Sequence, residues 1–264
     1  MIRMNPIRFA AYGAAAGAVA GVFASAGIIA GQAIAARRRP SLDPRRAPAM
    51  VGDQGPTDGT PLRLVMLGDS IAASVGAGSE RASLAGRLIR ALVADGNRVA
   101  ARTVAVPNSY TVDVKIQASR ALITSESDPY DIAVIVVGAM DVCAWTSPRA
   151  IEHVTARTIT ALVNRGIRVV LATTPDMGSV PCVKPPLRWL WGLRTGQVTE
   201  AQINGALAGG AEVVNLAELT GDAFSGDASL YAEDGFHPSA DGYRIIADAI
   251  APTVRAAARA RRAV

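Results

Sequence analysis

The chain has 264 residues, half of them hydrophobic, which is enough for one medium domain with a full core and an appendage. Its formal charge of +5 sits at one end: residues 1–46 hold seven arginines against a single acid, Asp43, so the remainder is close to neutral. The body therefore carries no net charge favouring nucleic acid, and the basic residues flank an apolar segment instead.

Phe9 to Ala36 contains no charged residue. As a helix it would run about 42 Å, longer than the roughly 30 Å hydrocarbon core of a bilayer. Arg3 and Arg8 precede it and Arg37-Arg38-Arg39 follow it. Residues 1–36 are expected to be an N-terminal apolar helix that anchors the chain in a membrane. A cleaved export signal ending near Ala33-Ile34-Ala35 and a soluble Ala-rich helix are the alternatives. Basic residues on both sides give conflicting orientation cues; an exported body at the cell envelope is the expected placement. Residues 37–60, rich in Pro, Arg, Gly and Asp, read as a linker, and the domain is expected over 61–264.

From Pro61 onward strands and helices alternate. Arg63–Leu67 is a short apolar strand. Arg81–Ala94 carries Leu84, Leu88 and Leu92 at helical spacing and stops at Asp95-Gly96. Val99–Val106 reads as a strand, Val112–Thr124 as a helix, and Ile132–Val137 as an unbroken apolar strand of the kind buried on both faces. Ser147-Pro148 opens a helix to Asn164. Arg168–Thr173 is a strand, Leu187–Leu207 a helix, Glu212–Leu216 a fifth strand, and Ser239–Ala258 the last helix. This alternation predicts a five-stranded parallel sheet covered by helices on both faces.

Gly68-Asp69-Ser70 follows the first strand and precedes a helix. That puts a serine hydroxyl at the carboxyl edge of the sheet, where open α/β sheets bind ligands. Far downstream, Asp234-Gly235-Phe236-His237-Pro238 supplies an acid and a histidine three residues apart. Serine, histidine and aspartate are the parts of a hydrolytic triad: Ser70 as nucleophile, His237 as its base, Asp234 to orient the imidazole. The other histidine, His153, lies mid-helix without a motif. Asp69 is expected to buttress the turn and Asp141 to cap a helix. Cys143 and Cys182 pair in an exported domain or stay as buried thiols. They form no metal-ligand spacing, and neither a metal nor an organic cofactor is expected. Gly76-Ala77-Gly78 lacks the spacing of a dinucleotide loop.

Gly68-Asp69-Ser70 with Asp234-x-x-His237, inside the run Asp-Gly-Phe-His-Pro-Ser-Ala-Asp-Gly-Tyr (234–243), resembles the SGNH/GDSL hydrolase superfamily, and the resemblance covers roughly 61–255. Thr174-Pro175-Asp176-Met177-Gly178, with Pro186-Leu187-Arg188-Trp189 after it, is similar to actinobacterial exported esterases of that superfamily. The resemblance implies a flavodoxin-like three-layer α/β/α sandwich. It also implies a serine esterase that hydrolyses carboxylic esters, of lipid or acylated-sugar type, through an acyl-serine intermediate. An acyltransferase on the same triad and a catalytically weak binding protein are the rival readings. Two departures fall on the residues that hold the oxyanion. The second block normally has a glycine; here two alignments place Asn108 or Ser109 there. The third block normally reads Gly-x-Asn-Asp; here it is Gly138-Ala139-Met140-Asp141, and methionine cannot donate a hydrogen bond. One expectation is that the Asn108 side-chain amide replaces the missing donor. Trp145, Trp189 and Trp191 all fall near the carboxyl edge of the sheet, where they line an acyl groove or pack a helix start.

Overall fold

A computed structural model describes residues 27–36, 38, 41–48, 53–124 and 129–262. The layering follows from the period of two along each strand. In β2 (Thr60–Gly68), Leu64 and Met66 join one core cluster while Val65 and Leu67 join another. β4 (Ile132–Val136) divides in the same way, Ile132, Val134 and Val136 against Ala133 and Ile135. A strand apolar at every position must be covered on both faces, and helices cover both.

One face carries α2 (Leu84–Ala94), through Leu84, Leu88 and Leu92, and α8 (Ala240–Arg262), through Tyr243, Ile246, Ile250 and Val254. The other carries α3 (Thr111–Thr124) and α5 (Pro148–Val163), with α6 (Leu187–Gly209) packed along α5. β3 (Asn97–Thr103), β5 (Arg168–Ala172) and β6 (Glu212–Val214) complete the parallel part of the sheet. The three-layer α/β/α architecture is the one expected.

The sheet differs from expectation at its edge. Among the described residues it has six strands, in the order β1-β3-β2-β4-β5-β6, not five. The extra strand, β1 (Asp53–Gln54), pairs antiparallel with β3 and begins upstream of the expected domain start at Pro61. Two residues carry no readable periodicity, and the hydrogen bonds of an exposed β3 edge are what recruit them. Two short helices also escaped the pattern, α4 (Ala139–Ala144) and α7 (Leu216–Gly226). Asn215, expected at the end of the fifth strand, instead caps α7 by accepting the Glu218 N–H.

The expected membrane helix falls largely on residues 1–26, outside the described residues. Among the described residues no helix is long and apolar enough to cross a membrane. Residues 27–36 are helical (α1), with Ile29, Ala33 and Ala36 against the core. Part of the expected linker, 41–48, also lies on the domain, with a 3-10 turn at Pro44–Arg46 that Asp43 caps.

The chain leaves β2 for β3 on one side and later returns to β4 on the other. The carboxyl end of β2 is therefore the topological switch point, where such sheets leave a crevice. Ser70 sits there.

Candidate active site

The turn that carries Ser70 begins where only glycine fits. Gly68 has φ +130°, and a Cβ on it would lie 1.8 Å from the Val136 carbonyl oxygen. The turn is fixed from outside by Gln117 of α3. Its Oε1 accepts the Gly68 N–H at 2.7 Å, and its Nε2 donates to the Gly68 carbonyl at 2.9 Å and to Ser109 Oγ at 3.1 Å. Tyr243 of α8, fully buried, donates its hydroxyl to the Val75 carbonyl at 2.8 Å. Gln202 of α6 does for the next pair of strand ends what Gln117 does here, donating to the Val137 carbonyl at 2.7 Å and accepting the Thr174 N–H at 2.9 Å.

Ser70 is buried, and its Oγ accepts the backbone N–H of Asn108 at 3.1 Å. Asn108 has φ +62°, a left-handed conformation that asparagine tolerates better than most residues. The Ser109 N–H is turned the other way and donates to the Val106 carbonyl at 3.2 Å. Of the two aligned candidates, Asn108 thus presents its N–H to the serine. It does so with its backbone, while its residue surface is exposed.

Opposite, His237 Nδ1 and Asp234 Oδ2 are 2.6 Å apart, with both side chains only 5% exposed. The carboxylate's other oxygen accepts the N–H groups of Phe236 and His237, each at 3.0 Å. Burial pushes the Asp234 carboxyl up, but the His237 side chain and these two N–H donors outweigh it and hold the group well below the usual carboxylate range. An ionised Asp234 at Nδ1 assigns the proton to that nitrogen and leaves Nε2 as an acceptor. Nε2 is buried with no hydrogen-bond partner among the described residues. Ser70 and His237 line the same narrow pocket of about 30 Å³, room for a water or two. Met140, Met177, Val180, Phe224 and Phe236 supply much of its apolar wall.

Asp69 lines this pocket too. Burial, with the nearby Asp141 carboxylate, pushes its carboxyl up to about 7, against the Ile71 and Ala139 N–H groups and, when protonated, the His237 ring, which favour the ionised form. Its Oδ1 accepts the Ile71 N–H at 2.9 Å, the buttress expected of it. Asp141 caps a helix, though not its own: fully buried in α4, it accepts the N–H (2.8 Å) and hydroxyl (2.7 Å) of Thr111 at the start of α3. Gly138 opens α4 at φ +130°, and a Cβ there would lie 2.7 Å from Gln202 Nε2. His153 is exposed on α5. The tryptophans are not on the pocket wall: Trp145 (52% exposed) carries the Arg194 guanidinium over its ring, Trp189 is exposed, and Trp191 is packed in the core. Among the described residues no cluster of three or more His, Cys, Asp or Glu gathers.

Sequence reasoning missed Gln117 and Gln202. The only trace of them is a glutamine on the apolar face of a helix, three residues after Val114 in one case and four after Val198 in the other.

A serine hydroxyl, an imidazole nitrogen free to accept its proton and an N–H aimed at the same oxygen can together perform acyl transfer. Comparison with known proteins points the same way. The sequence model of the GDSL-like Lipase/Acylhydrolase family matches residues 66–245. A GDSL-like esterase of Mycobacterium tuberculosis is 30% identical over 190 residues, 71% of this chain; the chain spans 60% of that relative's length. Among solved structures, TesA superposes with a TM-score of 0.61 at 16% identity, covering 74% of this chain and 99% of that one. A lipase/acylhydrolase from Enterococcus faecalis superposes with a TM-score of 0.54 at 20% identity, covering 74% and 96%. At these identities the two structures share the fold.

Proposed function

Because the chain belongs to the GDSL-like lipase/acylhydrolase family, we propose that it is a serine esterase in which Ser70, His237 and Asp234 act as the triad on carboxylic esters of lipid or acylated-sugar type. Ser70 Oγ attacks the acyl carbon while His237 Nε2 takes its proton. Asp234 holds the Nδ1–H tautomer and stabilises the imidazolium that forms. The leaving alkoxide collects the proton from Nε2 and departs as the alcohol, leaving an acyl-serine. A water, deprotonated by the same nitrogen, attacks the acyl carbon and frees the acid and Ser70.

The negative oxygen of each tetrahedral intermediate is held by the backbone N–H groups of Asn108 and Ser70. Each such donor contributes about 10²–10³ in rate in enzymes of known mechanism. Met140 stands where the family has an asparagine donor and offers apolar surface to the acyl group instead. This reading replaces the side-chain donor role expected for Asn108.

The observation that carries the proposal is the arrangement of His237, with Nδ1 at 2.6 Å from Asp234 and Nε2 unpartnered in the pocket it shares with Ser70. Two measurements test it: labelling by a fluorophosphonate probe, and hydrolysis of nitrophenyl esters of increasing acyl length beside a Ser70→Ala control. Labelling and turnover that vanish in the control are expected. A wild type as inert as the control contradicts the reading. The apolar wall favours one second reading, acyl transfer to a sugar hydroxyl in place of water. Products formed with competing acceptors distinguish it.

A further inference from the structure

We propose that residues 27–36 and 41–46 act as a strap that holds the triad acid from behind, with the Leu42 backbone N–H as a positioning group for Asp234; this rests on the triad reading above. Each oxygen of the Asp234 carboxylate receives two donors. Oδ1 takes the N–H groups of Phe236 and His237, both from its own loop. Oδ2 takes His237 Nδ1 at 2.6 Å and, at 3.3 Å, the Leu42 N–H from 192 residues upstream. Leu42 thus supplies the one donor to this carboxylate, among the described residues, that does not come from the Asp234–His237 loop.

The strap is built to stay in place. At one end the Gln32 side chain clasps the start of α6, donating to the Pro185 carbonyl at 2.8 Å and accepting the Leu187 N–H at 3.1 Å. Ile29, Ala33 and Ala36 of α1 pack on the core beside it. At the other end Leu42 lies over Gly76. A Cβ on Gly76 would sit 3.3 Å from Leu42 Cδ1 and 2.5 Å from the Pro238 carbonyl oxygen. The strap, the turn that follows Ser70 and the loop that bears His237 therefore meet at one point, closed by a glycine.

An N–H donor spreads the charge of a carboxylate and fixes its plane. Without the Leu42 N–H, more negative charge remains on the oxygen facing Nδ1, and the imidazolium form of His237 is favoured. Other groups surround the pair: Asp69 from the β2 turn, Asp176 from the loop after β5, Tyr231 ahead of the Asp234 loop, Tyr243 from α8, Asp43 and Arg46 from the strap, and Glu233 from the Asp234 loop. Of these only Asp43 and Arg46 lie on the strap and can move with it; the others belong to elements that neither variant changes.

The test uses the full chain. Leu42→Pro deletes the donor, and Gln32→Ala releases the strap's far anchor without touching Asp234. On nitrophenyl acetate, kcat is expected to fall about 3–30-fold in Leu42→Pro with KM unchanged. The acid limb of the kcat/KM profile should move upward by a few tenths of a pH unit, and Gln32→Ala should shift it the same way by less. The downfield proton resonance of the Asp234–His237 hydrogen bond reads the same contact without turnover and should move in both variants. A wild-type resonance and acid limb in both variants, or in Gln32→Ala alone if Leu42→Pro does not fold, overturns the strap. A wild type without turnover or labelling at Ser70 contradicts the triad reading instead, and the resonance still judges the strap.

Discussion

The loop bearing Asp234 and His237 and the loop bearing Asn108 meet at the same serine, and they are specified in different ways. The first works through side chains. An imidazole, a carboxylate and the spacing that lets one reach the other are irreplaceable, so Asp234-x-x-His237 is readable in the sequence and sits in the structure with Nδ1 and Oδ2 at 2.6 Å. The second works through backbone. Any residue has an N–H to aim at Ser70; what matters is φ, and at +62° the choice narrows to glycine and to residues such as asparagine that tolerate the left-handed region. A family glycine can therefore become Asn108 without loss of the donor. Side-chain chemistry is specified by residue identity, backbone chemistry by conformation.

The largest expected effect lies on the side-chain loop. Asp234→Asn leaves the shape but spoils the tautomer, and kcat should fall by about 10⁴, measured on nitrophenyl esters. A loss under tenfold would mean the acid side is as tolerant as the Asn108 side.

How far the sequence reveals the molecule follows the same division. β2, β4 and β5 are legible because burial on both faces demands apolar residues at every step. β1 is not, since two residues paired to an edge need only backbone groups. α7 is obscured by Thr220, Gly221 and Gly226, poor helix formers whose helix is held by its Asn215 cap and by tertiary packing. Ser70, Asp234 and His237 stand out in the sequence by their chemistry, and the structure pairs His237 with Asp234 and lines one pocket with Ser70 and His237. Gln117 is not, because its work is to satisfy backbone groups of another strand's turn, a contact 49 residues away in sequence.

Gln117 probes the backbone side from beneath. Gln117→Leu strips partners from the buried Gly68 N–H and carbonyl and from Ser109 Oγ. A stability loss of about 2–5 kcal/mol is expected, read from denaturant midpoints, with a fall in kcat as the two turns lose register. Unchanged stability would show that the turns hold themselves.

Asp69 offers a pH test of the nucleophile turn. Its folded-state value, pushed up to about 7 by burial, exceeds its ordinary one of 3.8, so between those values the native state binds more protons than the unfolded state. Wild type should therefore lose stability relative to Asp69→Asn as pH rises from 4 to 7, by up to a few kcal/mol, and the difference should level off above. Parallel Tm curves across that range would refute burial as the dominant influence on Asp69.

Met140→Asn tests the pocket wall on the oxyanion side. It restores a side-chain donor on a backbone already in place, and a rise in kcat of up to about tenfold with little change in Tm is expected. A fall would mean that the apolar surface of Met140 matters more to acyl binding than a third donor does.

The most direct test of a backbone-built oxyanion site is kcat of Asn108→Gly on nitrophenyl acetate, beside wild type and Ser70→Ala. Glycine keeps the N–H, suits φ +62° and removes the side chain. The account predicts turnover within about threefold of wild type, because a donor that is retained costs nothing. A fall of about a hundredfold toward the Ser70→Ala rate, the size of one lost donor, would place the donor in the asparagine side chain and contradict it.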